Sequence, residues 1–379
     1  RTSQEIADEM EFLGSHLESD AGREHAFIFA ETLTSHWPKA MEIIADVTRF
    51  ANFPSRELSR LKNERLADLS RMSADPYAIS QNASRALIYG LNSDYGHPIT
   101  GTKDSINNFT KDKIQAHFGR HFGPHDSTLL VVGDVSGNDI LSQAEVYFGD
   151  WNQSVRNSNG SKKANTTTSK ATTIYLTDKP GAAQSVIRAG HLTIPRHHPD
   201  YLALNMLNYV FGGHPMSRLF MNLRQDKGYS YGYYSSIEWQ HTQSPFISGG
   251  SVQSESTTES ILEVISEFKK IQKTSKVKKD EFQIAKDGLL RNFSSNFENQ
   301  SQIVSQLQHI INFNLDTTYV STIIDFLNNL TLNSLHDISE RLINPNKLQI
   351  LVIGDKSKIY NNLKEIGIPI ITLDTIEDF

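Results

Sequence analysis

"PHDSTLLVVGD", residues 124–134, returns near the end of the chain as "PNKLQILVIGD", residues 345–355. Each is a proline, a short mostly polar stretch, an apolar run of the kind found in buried strands, and a Gly-Asp turn. The two stand 221 positions apart. Working outward, "AMEIIADV" from Ala40 meets "ILEVISEF" from Ile261 at the same displacement, both with apolar residues at helical spacing. Two matches at one displacement read as two copies of one unit. Strand-like runs at 26–31 and 172–176 alternate with helical segments, which predicts an α/β class with a helix-covered sheet in each copy. Residues 129–133 are expected to form a strand, as are their counterparts before Gly354.

The polar stretch "NQSVRNSNGSKKANTTTSK", residues 152–170, reads as a linker between a first domain, 1–151, and a second, 171–379. The second copy opens with a strand, "SVIRAGHLTIP", and a helix, "DYLALNMLNYVFGG", which the double glycine ends. Subtracting the displacement places their counterparts before residue 1, so the first domain is expected to lack its opening strand and helix. The start, "RTSQEIADEMEFLG", is already an amphipathic helix and looks like the interior of something longer.

At 379 residues the chain can bury two cores. The absence of cysteine excludes disulfides, thiolate nucleophiles and cysteine-held zinc, and fits a cytoplasm or an envelope compartment. A net charge of −6 with dispersed lysines and arginines excludes nucleic acid as the main partner. No apolar run approaches the roughly 20 residues that span a bilayer.

Chemistry concentrates in "LRQDKGYSYGYYSS", residues 223–236, with one arginine and four tyrosines. Ser217 is the expected N-cap of a short helix bearing Leu219, Phe220 and Leu223, with Arg224 near its end. Gly228 permits a turn, and residues 229–236 read as a strand. Regular alternation would set Tyr229, Tyr231 and Tyr233 on one face and Tyr234 on the other. Taken alone, these residues fit a plain packing role: arginine suits a helix C-terminus and tyrosine suits strands.

Other candidates are weaker. His117 and His121 share a helical face near His125, but Phe118 stands where a His-Glu-x-x-His motif needs its glutamate, so an exposed helix is expected. His197 and His198 fall in a turn before a helix. "VVGD" and "VIGD" lack any phosphate-binding glycine pattern, and no G-x-S-x-G occurs. The acidic run "DEMEFLGSHLESD" is expected to be a solvated helix face.

The order of "GSHLESDAGRE", "NERLADLSRM", "YGHPITGT", "LLVVGD" and "FGGHPMSRLFMNLRQDKGYSYGYYSS" resembles the pitrilysin/insulinase-type zinc metallopeptidases, and more closely their bacterial two-subunit branch. The resemblance covers nearly the whole chain. It implies two homologous domains, each a mainly antiparallel sheet covered by helices. In catalytic members an inverted His-x-x-Glu-His helix and a later glutamate hold zinc; by the resemblance that helix would lie before Arg1. Aligned with the family pattern, Glu64 takes the first of two glutamates, while the metal-binding position falls on Arg71, a cation that cannot ligate zinc. The family's non-catalytic subunits keep an arginine and a tyrosine seven residues apart, which here map onto Arg224 and Tyr231.

The resemblance therefore implies a half-site subunit of a heterodimeric zinc peptidase, inactive alone, with no metal in this chain and zinc in a homologous partner subunit. Arg224 and Tyr231 would contact an extended peptide or unfolded polypeptide in the partner's site. Two alternatives stand beside it: a purely structural or interaction protein, and a self-sufficient zinc endopeptidase whose metal helix is missing from this chain. Bacterial relatives make the periplasm or cell envelope the expected location.

Overall fold

A computed structural model describes residues 1–152 and 171–373; the expected linker, apart from Asn152, lies outside the described residues. The described strands are β1 (Leu17–Ala21), β2 (Ala26–Ala30), β3 (Thr173–Asp178), β4 (Gln184–Leu192), β5 (Ser230–Ile237), β6 (Pro245–Gln253), β7 (Gln349–Gly354) and β8 (Ile370–Leu373). The fold is mixed α/β, as the sequence predicts.

The repeat is visible element by element. Helix Lys111–His121 matches Leu332–Leu342 at a displacement of 221 at both ends. Helices Trp37–Arg49, Ser55–Ala74, Pro76–Tyr89 and Gly137–Phe148 recur in order as Thr257–Lys269, Lys279–Ser295, Gln300–Asn312 and Lys356–Glu365. The antiparallel hairpin β1–β2 corresponds to β5–β6.

The chain folds into two compact units that are not consecutive stretches. The first holds residues 1–67, 103–152 and 294–314; the second holds 68–102, 171–293 and 315–373. Each copy thus gives one helix to the unit built mainly from the other: Pro76–Tyr89 belongs to the second unit and Gln300–Asn312 to the first.

In the first unit, Met10, Leu13, Ala40 and Ile43 form a small core with Ile6, Leu17 and Ala30 around it. Thr2 and Glu5 cap the opening helix reciprocally. Ser301 on the exchanged helix bonds Glu31 at 2.8 Å. The acidic face expected to be merely solvated carries an ion-pair cluster in which Arg1 meets Glu9, Glu42 and Asp46.

The expected strand over 129–133 does not form. Its counterpart β7 is secured on both sides, parallel to β3 and antiparallel to β4. Among the described residues nothing offers residues 129–133 such a ladder, and an apolar run without hydrogen-bonding neighbours cannot become a strand.

The second unit is built on a six-stranded sheet in the order β5-β6-β4-β7-β3-β8, antiparallel except where β3 meets β7 and β8. One face, with Ile187, Ala189, Phe246, Val252, Ile350 and Val352, packs under the main helical layer. The other face presents Val186, Leu351 and Ile353 to Ala83 of helix Pro76–Tyr89. Asp75 caps that helix by accepting the Tyr77 N–H at 2.9 Å, and Pro76 begins it without wasting a donor. The helix leaves the sheet open toward β5, and the cleft described below lies there.

Candidate functional site

The segment 217–237 is anchored by contacts that leave the side chains of Arg224 and Tyr231 without hydrogen-bond or ion-pair partners among the described residues. Ser217 precedes a short helix, Arg218–Phe220, which widens into a π-helical turn, Met221–Asp226. The Lys227 N–H bonds the Asn222 carbonyl five residues back, at 3.0 Å. Leu219 and Leu223 are buried in the core. Arg218 grips Glu281 through Nε and Nη2 at 2.7 and 2.6 Å and also donates to the carbonyls of Ser275 and Lys276. Burial alone would raise the Glu281 carboxyl, but Arg218 and the Lys278 N–H hold it below its usual range. Asn222 donates to Glu263 and Glu267, both at 2.9 Å. Those bonds fix the turn to helix Thr257–Lys269, and Asn222 is the main cause of the lowered Glu263 carboxyl pKa.

Gly228 takes φ +66°, and the Tyr229 N–H returns to the Leu223 carbonyl at 2.9 Å, a left-handed helix stop. The chain then enters β5, where Ser230 stands opposite Val252 but Tyr233 stands opposite Gly250. Three steps on β5 thus match two on β6. Tyr231 and Gly232 form a bulge, which Ser230 Oγ supports by accepting the Gly232 N–H at 3.1 Å and by donating to the Ser251 carbonyl at 2.7 Å.

The bulge overturns the expected facing of the tyrosines. Tyr233 is fully buried, whereas Tyr231 is 81 % exposed and Tyr234 joins it along the same cleft. Alternation with period two fails because the extra residue resets the phase. Burial drives the Tyr233 phenol well above its ordinary pKa, so it stays neutral.

The bulge also brings the two predicted residues together. The Arg224 guanidinium carbon lies 5.0 Å from the centre of the Tyr231 ring. Neither side chain makes an ion pair or hydrogen bond with another described residue, so the phenol and the guanidinium donors remain available. Arg218, six residues earlier, has its carboxylate and carbonyl partners in place.

Tyr231 and Tyr234 border a cleft of about 390 Å³ on the face of the sheet that helix Pro76–Tyr89 only partly covers. Its floor is low because Gly249 sits between Arg188 of β4 and Tyr234 of β5 in one cross-strand row. Arg188 and Tyr77, which sequence reasoning did not single out, line the same cleft. The available signal was in "SVIRAGHL", where an arginine interrupts a mostly apolar strand.

The other sequence candidates do not converge. Arg71 is 76 % exposed on its side chain and pairs with Asp68 on its own helix; Glu64 pairs with Arg60 at 2.6 Å. The His117 and His121 rings meet at a tilt, centres 4.5 Å apart, on an exposed helix. His198 accepts the Asp200 N–H in its turn at 3.1 Å and lies 3.7 Å from the Asp200 carboxylate. Among the described residues no three His, Asp or Glu side chains stand together as a metal site. The described residues therefore offer no donor set that fits the zinc implied by the family resemblance.

Comparison with known proteins decides the family. Residues 1–95 match the model of the insulinase family, peptidase family M16, and residues 108–289 match that of the peptidase M16 inactive domain. The chain belongs to the M16 peptidase family. This M16 chain is 26 % identical over 279 residues to the uncharacterized zinc protease YmxG of Bacillus subtilis, a match covering 73 % of this chain and 66 % of that protein. It is 24 % identical over 238 residues to an uncharacterized zinc protease of Mycobacterium leprae, covering 63 % and 53 %. The M16 chain thus spans between about half and two thirds of these curated relatives.

Among solved structures, the peptidase M16 inactive domain from Pseudomonas fluorescens superposes with a TM-score of 0.85 at 22 % identity, over 94 % of this chain and 84 % of that one. A chain of Complex III2 from Candida albicans gives 0.78 at 13 % identity, over 94 % and 86 %. Both likenesses concern the M16 fold. Among the described residues no helix is long and apolar enough to cross a membrane.

Proposed function

We propose that this M16 chain is the half-site subunit of a two-chain zinc peptidase, inactive alone and completed by a homologous zinc-binding subunit. The observation that carries the reading is Arg224 beside an exposed Tyr231 on a bulge, both free of other described partners, in a chain whose Arg71 pairs with Asp68 on its own helix. Peptide hydrolysis builds negative charge on the scissile carbonyl oxygen, and a preorganised phenol donor there lowers the barrier. Arginine, always protonated, holds backbone carbonyls or a carboxylate of an extended peptide. Neither group attacks a peptide, so this chain's share is to bind and orient the substrate and to stabilise its developing charge. The match of residues 108–289 to the inactive-domain model supports that division of labour.

The experiment is co-expression with a zinc-binding M16 homologue and assay of peptide cleavage. Activity is expected only from the pair, and Tyr231→Phe should lower turnover by about 10²–10³. Zinc-dependent cleavage by this chain alone would overturn the reading, as would unchanged turnover in the Tyr231→Phe pair.

A further inference from the structure

Arg188 is a cation in the middle of a sheet with no anion beside it among the described residues. It stands on β4 between Leu351 of β7 and Gly249 of β6, on the face covered by helix Pro76–Tyr89. Three features aim its head group. Nε donates to Ser80 Oγ at 3.0 Å, the Tyr77 ring lies 4.7 Å from the guanidinium carbon, and Gly249 leaves room for the stem. A Cβ on Gly249 would come within 3.1 Å of Arg188 Cδ. What remains is the Nη edge. Nη2 is shut from solvent without an acceptor, no carboxylate pairs with the group among the described residues, and the cleft lining contains no acidic side chain.

Placing a guanidinium in a partly closed site without its counter-ion is costly, and such a group is satisfied by a ligand carboxylate that accepts two parallel N–H bonds. We propose that the cleft is a carboxylate-binding subsite in which Arg188 receives an acidic group of a bound polypeptide. Tyr231 and Tyr234 border the same cleft, so a chain held at Arg188 runs past the Arg224–Tyr231 pair. The shared chemistry is a carboxylate, from a glutamate or aspartate side chain or from a chain terminus. Placing this ligand on the substrate rests on the half-site reading above.

The test measures binding to this chain alone by titration calorimetry. The probes are a short alanine-based peptide blocked at both ends with one central glutamate, its glutamine counterpart, and an all-alanine peptide with a free C-terminus against its amide. At least one carboxylate peptide should bind about tenfold tighter than its neutral twin, and which one does so identifies the source. Arg188→Gln should bring the twins within about twofold of each other. Because that variant also loses the Ser80 bond, Ser251→Tyr supplies a second arm. It fills the cleft from β6 with Arg188 intact and should abolish binding with an unchanged thermal midpoint.

Equal affinity of the twins, no binding by the wild-type chain, or discrimination that survives Arg188→Gln or Ser251→Tyr would each overturn the proposal. Since the measurement needs no second subunit, its failure leaves the Tyr231→Phe turnover test untouched, and the reverse holds.

Discussion

The hairpins β1–β2 and β5–β6 occupy the same place in the two copies and have different fates. The first is an isolated two-stranded ribbon in regular register, from Leu17↔Ala30 to Ala21↔Ala26. The second is the edge of a six-stranded sheet and carries a bulge. The supporting interactions differ likewise. The second copy fixes its hairpin with Arg218–Glu281 and Asn222, largely withdrawn from water, whereas the first surrounds its opening helix with the more exposed cluster of Arg1, Lys39 and three carboxylates. The difference teaches that two copies of one unit can pair their hairpins differently, regularly in one and with a side-chain-placing bulge in the other.

The comparison can be broken most severely at the largely shielded Arg218–Glu281 pair. Glu281→Ala strands Arg218, and the loss should reach about 3 kcal/mol or more by urea unfolding of the chain, with Arg224 displaced as the π turn loosens. A loss below about 1 kcal/mol would show that the pair does not hold the turn.

The next largest effect is set by acid. His191 is fully buried, its Nδ1–H donates to the Leu192 carbonyl at 2.9 Å, and its Nε2 accepts the Asn344 N–H at 3.3 Å. Burial pushes its pKa down from 6.5 to about 4. The unfolded chain therefore takes up a proton that the native state refuses. Stability from this group is complete above the unfolded value and falls as pH drops through that window, by about 3 kcal/mol in all. His191→Phe should flatten the slope of stability against pH over that range; an unchanged slope would assign the acid sensitivity elsewhere.

The smallest effects belong to the exposed pairs. Arg71→Ala removes only a same-helix contact with Asp68 and should shift stability by less than about 0.5 kcal/mol, with Tm as the check. Arg1→Ala should cost about 1 kcal/mol at low salt and less at high salt, since its partners are accessible to screening ions. A larger, salt-independent loss would mean that the two copies are braced alike after all.

Much of this was legible in the sequence because it is local or periodic. The repeat shows in "LLVVGD" and "LVIGD", and Arg224 and Tyr231 are picked out by the family resemblance. The bulge was not legible: its position depends on which β6 residue faces each β5 residue, and a strand read alone assumes even alternation. The same apolar pattern also promised a strand at 129–133, although a strand exists only with neighbours. Arg188 announces itself as a charge among apolar residues, but its missing counter-ion is a fact of the surroundings.

The exchange of helices between the units sets an order of events during synthesis. Residues 294–314 belong to the first unit, so that unit remains unfinished until the ribosome has passed well beyond the first copy. At about 5–20 residues per second the nascent chain spends many seconds with β1–β2 and their helices made but not closed. Closure of the first unit around helix Gln300–Asn312 therefore follows synthesis of much of the second copy. For the same reason, a protease cut or a gene fission between the copies would yield two incomplete pieces.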